Sequence, residues 1–258
     1  MKRVHAKRRA DAPDGFFEAE AAGLAWLAAA DGARVVEVLA VEPGRIDLEA
    51  LDLARPTAEH AEAFGAALAT THDAGADGWG APPDGWDGPS FIGEQPLTTR
   101  PGGWPSWGAF TAEQRVLPYA RLAAERGHIG GEDLRLVERA CERLSAGDLD
   151  DGDAPARLHG DLWNGNLQWT AGGAVLIDPA AHGGHRETDL AMLALFGCPH
   201  LARIYAGYDA AHPLVPGWEQ RIPLHQLHPL AVHAASHGAA YAEPLASAAR
   251  AALALPPA

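Results

Sequence analysis

The residues best suited to chemistry lie close together in the segment LHGDLWNGNLQW, residues 158–169. This segment carries His159, Asp161 and Asn166 between flanks that are typical of buried strands. Asp178 follows at the end of a second apolar stretch, AVLID. Two carboxylates and an amide at this spacing can orient a hydroxyl group and bind a divalent cation through hard oxygen atoms. Such chemistry is what phosphoryl transfer requires.

The chain between Asn166 and Asp178 is expected to bring these two residues together. LQWTAGGAVLID, residues 167–178, has the pattern of a strand, a Gly-Gly turn and a second strand. Protein kinases use a similar arrangement, in which H-x-D is followed by an Asn five residues after the Asp and by a strand that ends in a metal-binding Asp. An isolated H-G-D triplet is weak evidence, because most such triplets form turns. The joint spacing of His159, Asp161, Asn166 and Asp178 is a much stronger indication of a site for phosphoryl transfer.

The remaining elements predict a small strand-rich lobe followed by a larger helical lobe, which is an α+β fold. Strands are predicted at 3–8, 34–41 and 45–51, and Asp14 is expected to cap a helix through FFEAEAAGLAWLAAA. Pro56 and Thr57 are expected to begin the next helix, with Ala61, Phe64, Leu68 and Thr71 on one face. Two further helices are predicted at 110–126 and 132–146.

The segment 74–107 differs from the rest because it is dense in Gly, Pro and Trp. Long loops inside compact domains are usually functional, so one interpretation is a binding loop that packs on the body of the protein. The other is a surface loop that its aromatic residues fix in place without any ligand. The sequence does not decide between them.

Composition and charge exclude several classes of protein. The chain has 258 residues and a formal net charge of −14, which disfavours a nucleic-acid partner. The longest apolar runs are too short for a membrane span, and the basic N-terminus lacks the apolar segment of a secretory signal. Two cysteines, Cys141 and Cys198, fit a reducing cytoplasm. Lys2 and Lys7 are the only lysines, so any lysine-dependent chemistry is confined to the N-terminus.

The motifs HGDLWNGN, LIDPA and GHRETDLAMLALFG resemble those of the fructosamine kinase, or ketosamine kinase, family. This family is a branch of the aminoglycoside-phosphotransferase-like, protein-kinase-like fold. The resemblance extends through FIGEQP and PGWEQRIPLHQLHPLAVH and covers most of the chain from Phe16 onward. It implies a two-lobed protein-kinase-like fold, with a nucleotide-binding lobe and hinge over 1–51 and a catalytic and substrate-binding lobe over 52–258.

The resemblance also implies roles for individual residues. Asp161 would be the catalytic base, while Asn166 and Asp178 would bind Mg²⁺. Lys7 would contact the phosphates of ATP, with Glu20 as its ion-pair partner. Without the resemblance, an ordinary solvated lysine would be the better interpretation of Lys7.

Further roles follow from the same resemblance. Trp163 would face the sugar, although it could instead be a core residue. Asp189 would brace the catalytic loop from a buried position, and His159 would support that loop. The backbone of the segment that joins the lobes would bind adenine at Glu49, Ala50 and Leu51.

The expected function is that of an ATP- and Mg²⁺-dependent kinase acting on a ketosamine. The acceptor would be the 3-hydroxyl of a fructosamine or ribulosamine carried by an amine or a protein lysine, and the reaction would serve deglycation repair. One alternative is a kinase of the same fold for another hydroxyl, such as that of an aminoglycoside, choline or homoserine. The other is a non-catalytic, kinase-like binding module. The sequence does not indicate the oligomeric state.

Histidines are frequent in the C-terminal half and raise the question of a structural metal. A structural zinc site needs a closed set of four ligands, and the two cysteines are distant from these histidines in the sequence. We therefore do not expect a zinc site there. The histidines concerned are His182, His185, His225, His228, His233 and His237.

Kinases of this type cover the phosphates of ATP with a glycine-bearing hairpin that precedes the lysine strand. Because the lysine strand begins here at Arg3, the sequence predicts an N-terminal lobe without its first hairpin. A chain start set too late or a lost segment is the simplest explanation, and a family member without the hairpin is the alternative. The strand at 3–8 is then expected to form an exposed sheet edge, and the chain to bind Mg-ATP weakly.

Overall fold

The computed structural model describes residues 3–257, and its first part is an antiparallel sheet packed against one helix. Strands β1 (Val4–Arg8), β2 (Val38–Glu42) and β3 (Arg45–Glu49) lie in the order β1-β3-β2, so β1 is an edge strand. Helix α1 (Phe16–Ala28) buries Phe17 and Leu24 against β3 residues Ile46 and Leu48. This confirms the predicted strand-rich lobe.

Two local predictions in this lobe were wrong. Helix α1 follows Gly15, whose φ of 79° makes a left-handed turn, so the side chain of Asp14 does not cap the helix. The predicted strand at 34–41 becomes regular only at Val38. Its first half pairs instead with the larger lobe, since the Val36 N–H donates to the Leu176 carbonyl at 3.0 Å. The two lobes are thus joined through the backbone, and their division at residues 51 and 52 stays a prediction.

The second part of the chain is mainly helical and carries three two-stranded antiparallel sheets among the described residues: β4–β5, β6–β9 and β7–β8. The described helices include none that is both long and apolar enough for a membrane span. The elements are α2 (Ala58–Asp73), β4 (Ser90–Ile92), β5 (Gln95–Leu97), α3 (Trp107–Phe110), α4 (Leu117–Glu125), α5 (Gly131–Ser145), β6 (Ala156–Leu158), β7 (Leu167–Thr170), β8 (Gly173–Leu176), β9 (His182–Gly184), α6 (Glu187–Leu195), α7 (Leu201–Ala211), α8 (Trp218–His237) and α9 (Ala242–Ala254).

Helix α2 confirms the prediction made from its capping and periodicity. The Thr57 side chain accepts a hydrogen bond from the His60 N–H, and the predicted apolar face is buried. Glycines let α2 approach α7 closely, since a Cβ at Gly65 would lie 1.9 Å from the Ile204 carbonyl oxygen. This pair of helices forms a rigid support beneath the β7–β8 hairpin.

The predicted helix at 110–126 is divided by a π-helical turn, Thr111–Val116, between α3 and α4. The sequence gives a physical reason, because Pro118 has no N–H to donate to the Gln114 carbonyl. That carbonyl accepts a hydrogen bond from Arg115 Nη1 instead, at 3.2 Å. Arg115 is thereby held inside the lobe, where it is 2% exposed.

The segment 74–107 is an ordered loop whose two ends meet. Trp79 and Trp104 form an isolated antiparallel bridge, and the hairpin β4–β5 lies between them. The Gly80 N–H donates to the Gly183 carbonyl at 2.6 Å, which ties the loop to strand β9. The loop is therefore fixed to the body of the protein, which agrees with both interpretations, and a binding role for it stays a prediction.

Two of the histidines considered for a metal site do come together. The rings of His185 and His225 lie 4.6 Å apart, with the Glu187 carboxylate beside them. The guanidinium of Arg221 already contacts Glu187 and also lies 3.3 Å from Asp151. A metal ion at this position would face a like charge, so the donor set does not favour one.

Buried histidines should make the protein sensitive to acid. Burial lowers the pKa of His182 to about 3 and of His225 to about 4, and it lowers the pKa of His228 well below its usual value. Since the unfolded chain binds these protons from pH 6.5 downward, the free energy of unfolding should fall as the pH falls below 6.5. The pKa values of His159 and His233 are lowered as well, mainly by burial. Asp161, whose pKa burial raises to about 7, takes up a proton in the folded state and partly opposes the histidines.

The free energy of unfolding should therefore fall between pH 6.5 and 5, by about 1.4 kcal/mol per pH unit for each proton that the unfolded chain binds in excess of the folded one. Urea unfolding at half-unit pH steps measures it, at one temperature and one ionic strength. A free energy of unfolding that stays constant from pH 6.5 to 5 would contradict the depressed histidine pKa values.

Candidate active site

The loop after strand β6 has the sharp turn that the candidate residues need. Gly160 has a φ of 81°, and a Cβ there would lie 2.2 Å from the Ala180 carbonyl oxygen. Only glycine fits this position without strain. On either side of the turn, His159 Nε2 lies 2.8 Å from the Ile177 carbonyl oxygen, and the Ala180 N–H donates to the His159 carbonyl. The loop is thus joined to the chain that follows β8.

Asp161 and Asn166 meet, as the spacing predicted. Asn166 Nδ2 donates to Asp161 Oδ2 at 2.9 Å and to the Asp161 carbonyl at 2.8 Å. Because the amide nitrogen is used in this way, Asn166 presents its Oδ1 oxygen as an acceptor. Burial raises the pKa of Asp161 to about 7. The hydrogen bond from Asn166 acts in the opposite direction but is the weaker effect. An aspartate with this pKa is poised to accept a proton near neutral pH.

Asp178 lies beside this pair, at the end of the β7–β8 hairpin that the sequence predicted. Its φ is 53°, an uncommon value for a residue other than glycine and one that is often found at functional sites. Asn166 Nδ2 lies 3.3 Å from its carbonyl oxygen, and Lys7 Nζ lies 2.8 Å from its Oδ1. Its carboxylate and the Asn166 amide oxygen are hard donors that suit Mg²⁺.

Lys7 connects the two lobes at this point. Its Nζ lies 2.8 Å from both carboxylate oxygens of Glu20 in helix α1 and 2.8 Å from Asp178. Burial acts to lower the pKa of Lys7, but the charges of Glu20 and Asp178 overcome this and leave the pKa raised. Lys7 is therefore a fixed cation in the cleft and differs from an ordinary solvated lysine.

Asp189 braces the catalytic loop from the first turn of helix α6. Its Oδ2 accepts from the His159 N–H at 2.8 Å, and its Oδ1 accepts from the Gly160 N–H at 3.0 Å. Behind it, His72 Nε2 lies 3.2 Å from Asp189 Oδ2, and His72 Nδ1 lies 2.8 Å from the hydroxyl of Tyr208. Burial alone would raise the pKa of Asp189. The hydrogen bonds stabilise its carboxylate and outweigh burial, so the pKa lies below its usual value.

Replacing Asp189 by Ala should reduce both stability and activity. The backbone N–H groups of His159 and Gly160 would lose their buried acceptor, which costs roughly 1–3 kcal/mol for each group left unsatisfied. A thermal melt and an activity assay measure the two effects, and Glu132→Ala on the exposed face of α5 is the control. A melt that matches the parent protein would contradict the bracing role.

Two clefts meet at Lys7 and Asp178, which line both of them. The first, here called the α1 cleft, has a volume of about 420 Å³ and is lined by Lys7, Glu20, Asp161, Asn166 and Asp178. Aromatic residues of the loop 74–107 complete its wall, among them Trp86 and Phe91. The second, here called the hinge cleft, has a volume of about 360 Å³. It is lined by Lys7, Asp178, Val36, Leu48 and the three predicted adenine-binding residues, Glu49, Ala50 and Leu51.

The residues predicted to bind adenine do not contribute equally. The Ala50 N–H donates to the Arg3 carbonyl at 2.9 Å, so the sheet already uses it. The Glu49 N–H donates to the Glu37 carbonyl at 2.9 Å, so the sheet uses it as well. The backbone at Leu51, which comes directly after strand β3, is the better candidate for contacts to a base.

Trp163 lies at the mouth of the α1 cleft with 38% of its surface exposed. Its ring packs edge-to-face with Phe196 at 6.0 Å. A Cβ at Gly165 would lie 2.2 Å from that ring, so this glycine gives the ring its room. The exposure favours a substrate-facing position over the alternative of a core residue.

Comparison with known proteins agrees with this geometry. The sequence profile of the family described as fructosamine kinase matches residues 1–254. The chain belongs to the fructosamine kinase family. As a member, it is a phosphotransferase with an alcohol group as acceptor.

Relatives in other bacteria are named as kinases of this family. A probable ketoamine kinase of Klebsiella aerogenes is 36% identical over 220 residues, which cover 83% of this chain and 72% of that protein. A probable ketoamine kinase of Vibrio parahaemolyticus is 34% identical over 187 residues, which cover 72% of this chain but 60% of that protein.

Solved structures extend the comparison to the fold. A Thermobifida fusca protein provisionally named fructosamine-3-kinase is 49% identical, with a TM-score of 0.91 over 98% of this chain and 86% of that one. An aminoglycoside phosphotransferase crystallised with ADP and hygromycin B is 11% identical, with a TM-score of 0.57 over 91% of this chain and 81% of that one. The second likeness concerns the fold alone, and together they confirm the predicted two-lobed, kinase-like architecture.

Several residues of this candidate site could not be predicted from the sequence. His72 and Tyr208 lie 117 and 19 residues from Asp189 along the chain, and no local pattern marks them as its partners. Phe16 and Phe91 line the α1 cleft and contact each other with ring centroids 5.2 Å apart. The concentration of aromatic residues in the loop 74–107 was the signal that could have indicated this wall.

Proposed function

We propose that this protein transfers the γ-phosphoryl group of ATP, with Mg²⁺, to the 3-hydroxyl of a ketosamine. The observation that carries the proposal is the convergence of Lys7, Glu20, Asp161, Asn166 and Asp178 between two clefts. This is the set of charges that phosphoryl transfer needs, and it lies where two clefts meet, one for a nucleotide and one for an acceptor. The names of the relatives supply the choice of a ketosamine.

The acceptor is proposed to lie in the α1 cleft. Asp161 Oδ2 is held by Asn166, which leaves Asp161 Oδ1 to accept the proton of the sugar hydroxyl. Trp163 would cover one face of the sugar at the mouth of the cleft. The aromatic wall from Phe16, Trp86 and Phe91 would exclude water from the reacting hydroxyl.

The nucleotide is proposed to lie in the hinge cleft, with its phosphates directed toward Lys7. Glu20 would keep Lys7 in place while the Lys7 Nζ leaves Asp178 and binds phosphate oxygens. Asp178 and the Oδ1 of Asn166 would then hold Mg²⁺, which neutralises charge on the transferring phosphoryl group. The raised pKa of Asp161 suits a base that works near neutral pH.

The biological role proposed is deglycation, because a phosphorylated ketosamine is expected to release its amine. A cytoplasmic location is part of the same proposal, and the free thiols of Cys141 and Cys198 are compatible with it.

Mass spectrometry of the products from a fructosamine or a ribulosamine with Mg-ATP tests the proposal. We expect a product that is heavier by one phosphoryl group, and none from a 3-deoxy analogue that lacks the acceptor hydroxyl. A panel with an aminoglycoside, choline and homoserine runs in parallel. Phosphorylation of a panel member in place of the ketosamine would reassign the substrate, and nucleotide binding without any transfer would indicate a binding module.

A further inference from the structure

A small cavity of about 20 Å³ lies between buried side chains and shares no lining residue with either cleft. One wall is the π-helical turn and α3, with Phe110 and Arg115. The opposite wall is the β6–β9 ladder, with Leu158 and His182, and α8 contributes His228. Phe110, Arg115, Leu158, His182 and His228 are all buried. A volume of this size holds one water molecule or one ion of similar size.

The cavity contains a buried positive charge that has no carboxylate partner. Burial lowers the pKa of Arg115 to about 9, so its guanidinium remains charged at neutral pH. Arg115 Nη1 donates to the Thr98 carbonyl at 2.8 Å, and the guanidinium lies 4.4 Å from the centre of the Phe110 ring. Within residues 3–257, Nη2 has no hydrogen-bond partner and no carboxylate forms an ion pair with Arg115.

The neighbouring carboxylates are engaged elsewhere. Asp189 accepts from the backbone of the catalytic loop, and Glu187 contacts Arg221. The neighbouring His182 and His228 are neutral, because burial lowers their pKa values, so they neither balance the charge of Arg115 nor add to it. A buried charge without a counter-charge is costly, and a water molecule would solvate the guanidinium without neutralising it.

We propose that this cavity is a binding site for a single small monovalent anion, with chloride as the occupant in the cell. Arg115 Nη2 supplies a charged donor. His228 Nε2 also lacks a partner among the described residues, and with its proton on this nitrogen it is a second donor. Thr111 also lines the cavity, and its hydroxyl is proposed as a third donor.

The position of the cavity gives the anion a structural role. The Arg115 side of the cavity belongs to the turn between α3 and α4, and the Leu158 side belongs to the strand that leads into the catalytic loop. An anion between them would fasten the helical part of the lobe to the β6–β9 ladder. This site is independent of the proposed reaction, so its test does not depend on the identity of the substrate.

Bromide replaces chloride in most anion sites and can be located by its anomalous scattering, so crystals of the full chain grown in sodium bromide give a direct test. We expect an anomalous peak in the cavity beside Arg115 Nη2. A map collected at the bromine edge that has no peak there, with a water molecule in the cavity, would overturn the proposal.

A solution test uses thermal melts at constant ionic strength, in which sodium gluconate is replaced by sodium chloride. For a dissociation constant of about 10 mM, 100 mM chloride should raise the melting temperature by roughly 3–5 °C. Arg121→Met removes an exposed arginine of the neighbouring helix α4 and should keep this dependence, whereas Arg115→Met should lose it. An equal melting temperature of the unaltered protein in both salts would contradict the site. If Arg115→Met does not fold, the bromide map decides.

Discussion

Asp161→Asn should lower the turnover number by about 10²–10⁴-fold, the largest effect that we expect from a single substitution. The change keeps the shape of the side chain, and the remaining oxygen can still accept from Asn166. It removes the carboxylate that would take the proton of the acceptor hydroxyl. Because Asp161 lines the α1 cleft and not the hinge cleft, nucleotide binding should change little.

Single-turnover kinetics and nucleotide calorimetry on the same preparation separate these two effects. The control is Asp148→Asn, which removes an exposed carboxylate in the turn after α5 and should leave both measurements unchanged. A turnover number of Asp161→Asn equal to that of the parent would remove Asp161 from the role of base.

Asp178→Ala should reduce turnover by roughly 10²-fold or more and should also raise the Mg²⁺ concentration needed for nucleotide binding. Asp178 supplies the only carboxylate of the proposed metal ligands, since Asn166 contributes a neutral oxygen. The loss also frees Lys7 from one of its two partners, while the contact of Lys7 with Glu20 remains. The two mutations therefore differ, because Asp161→Asn leaves the metal dependence intact.

A Mg²⁺ titration of nucleotide binding measures this difference. Asp47→Ala is the matched control, as it removes an aspartate that is ion-paired with Arg45 on the small sheet and lies outside both clefts. Equal titration midpoints for Asp178→Ala and the parent protein would show that Asp178 is not a metal ligand.

The parts of the site that local sequence determines were predictable. The Gly-Gly turn and the apolar strands between Asn166 and Asp178 determine the hairpin, so its spacing alone predicted that the two residues meet. The contact between Lys7 and Glu20 was expected only through the family resemblance, because nothing in the spacing of a strand and a helix specifies their packing. Their functional roles remain predictions.

What the sequence did not indicate depends on contacts between distant segments. His72 reaches Asp189 across 117 residues, and the pairing of Trp79 with Trp104 closes a loop whose ends have no common pattern. The first half of the predicted strand 34–41 has the right composition for a strand. Its partner is Leu176 in the other lobe and not strand β3. Packing decides between these two partners, and strand propensity does not.

Gly160 has a consequence for regulation. In protein kinases the corresponding position of the H-R-D motif is an arginine, and phosphorylation orders the activation loop through new contacts between arginine and phosphate. Here the φ of 81° and the close approach of the Ala180 carbonyl exclude any side chain at this position. The catalytic loop therefore has no arginine at this position through which a phosphorylated segment could switch it on. The loop is held instead by Asp189, which accepts hydrogen bonds from the backbone N–H groups of His159 and Gly160 and needs no phosphorylated partner to do so.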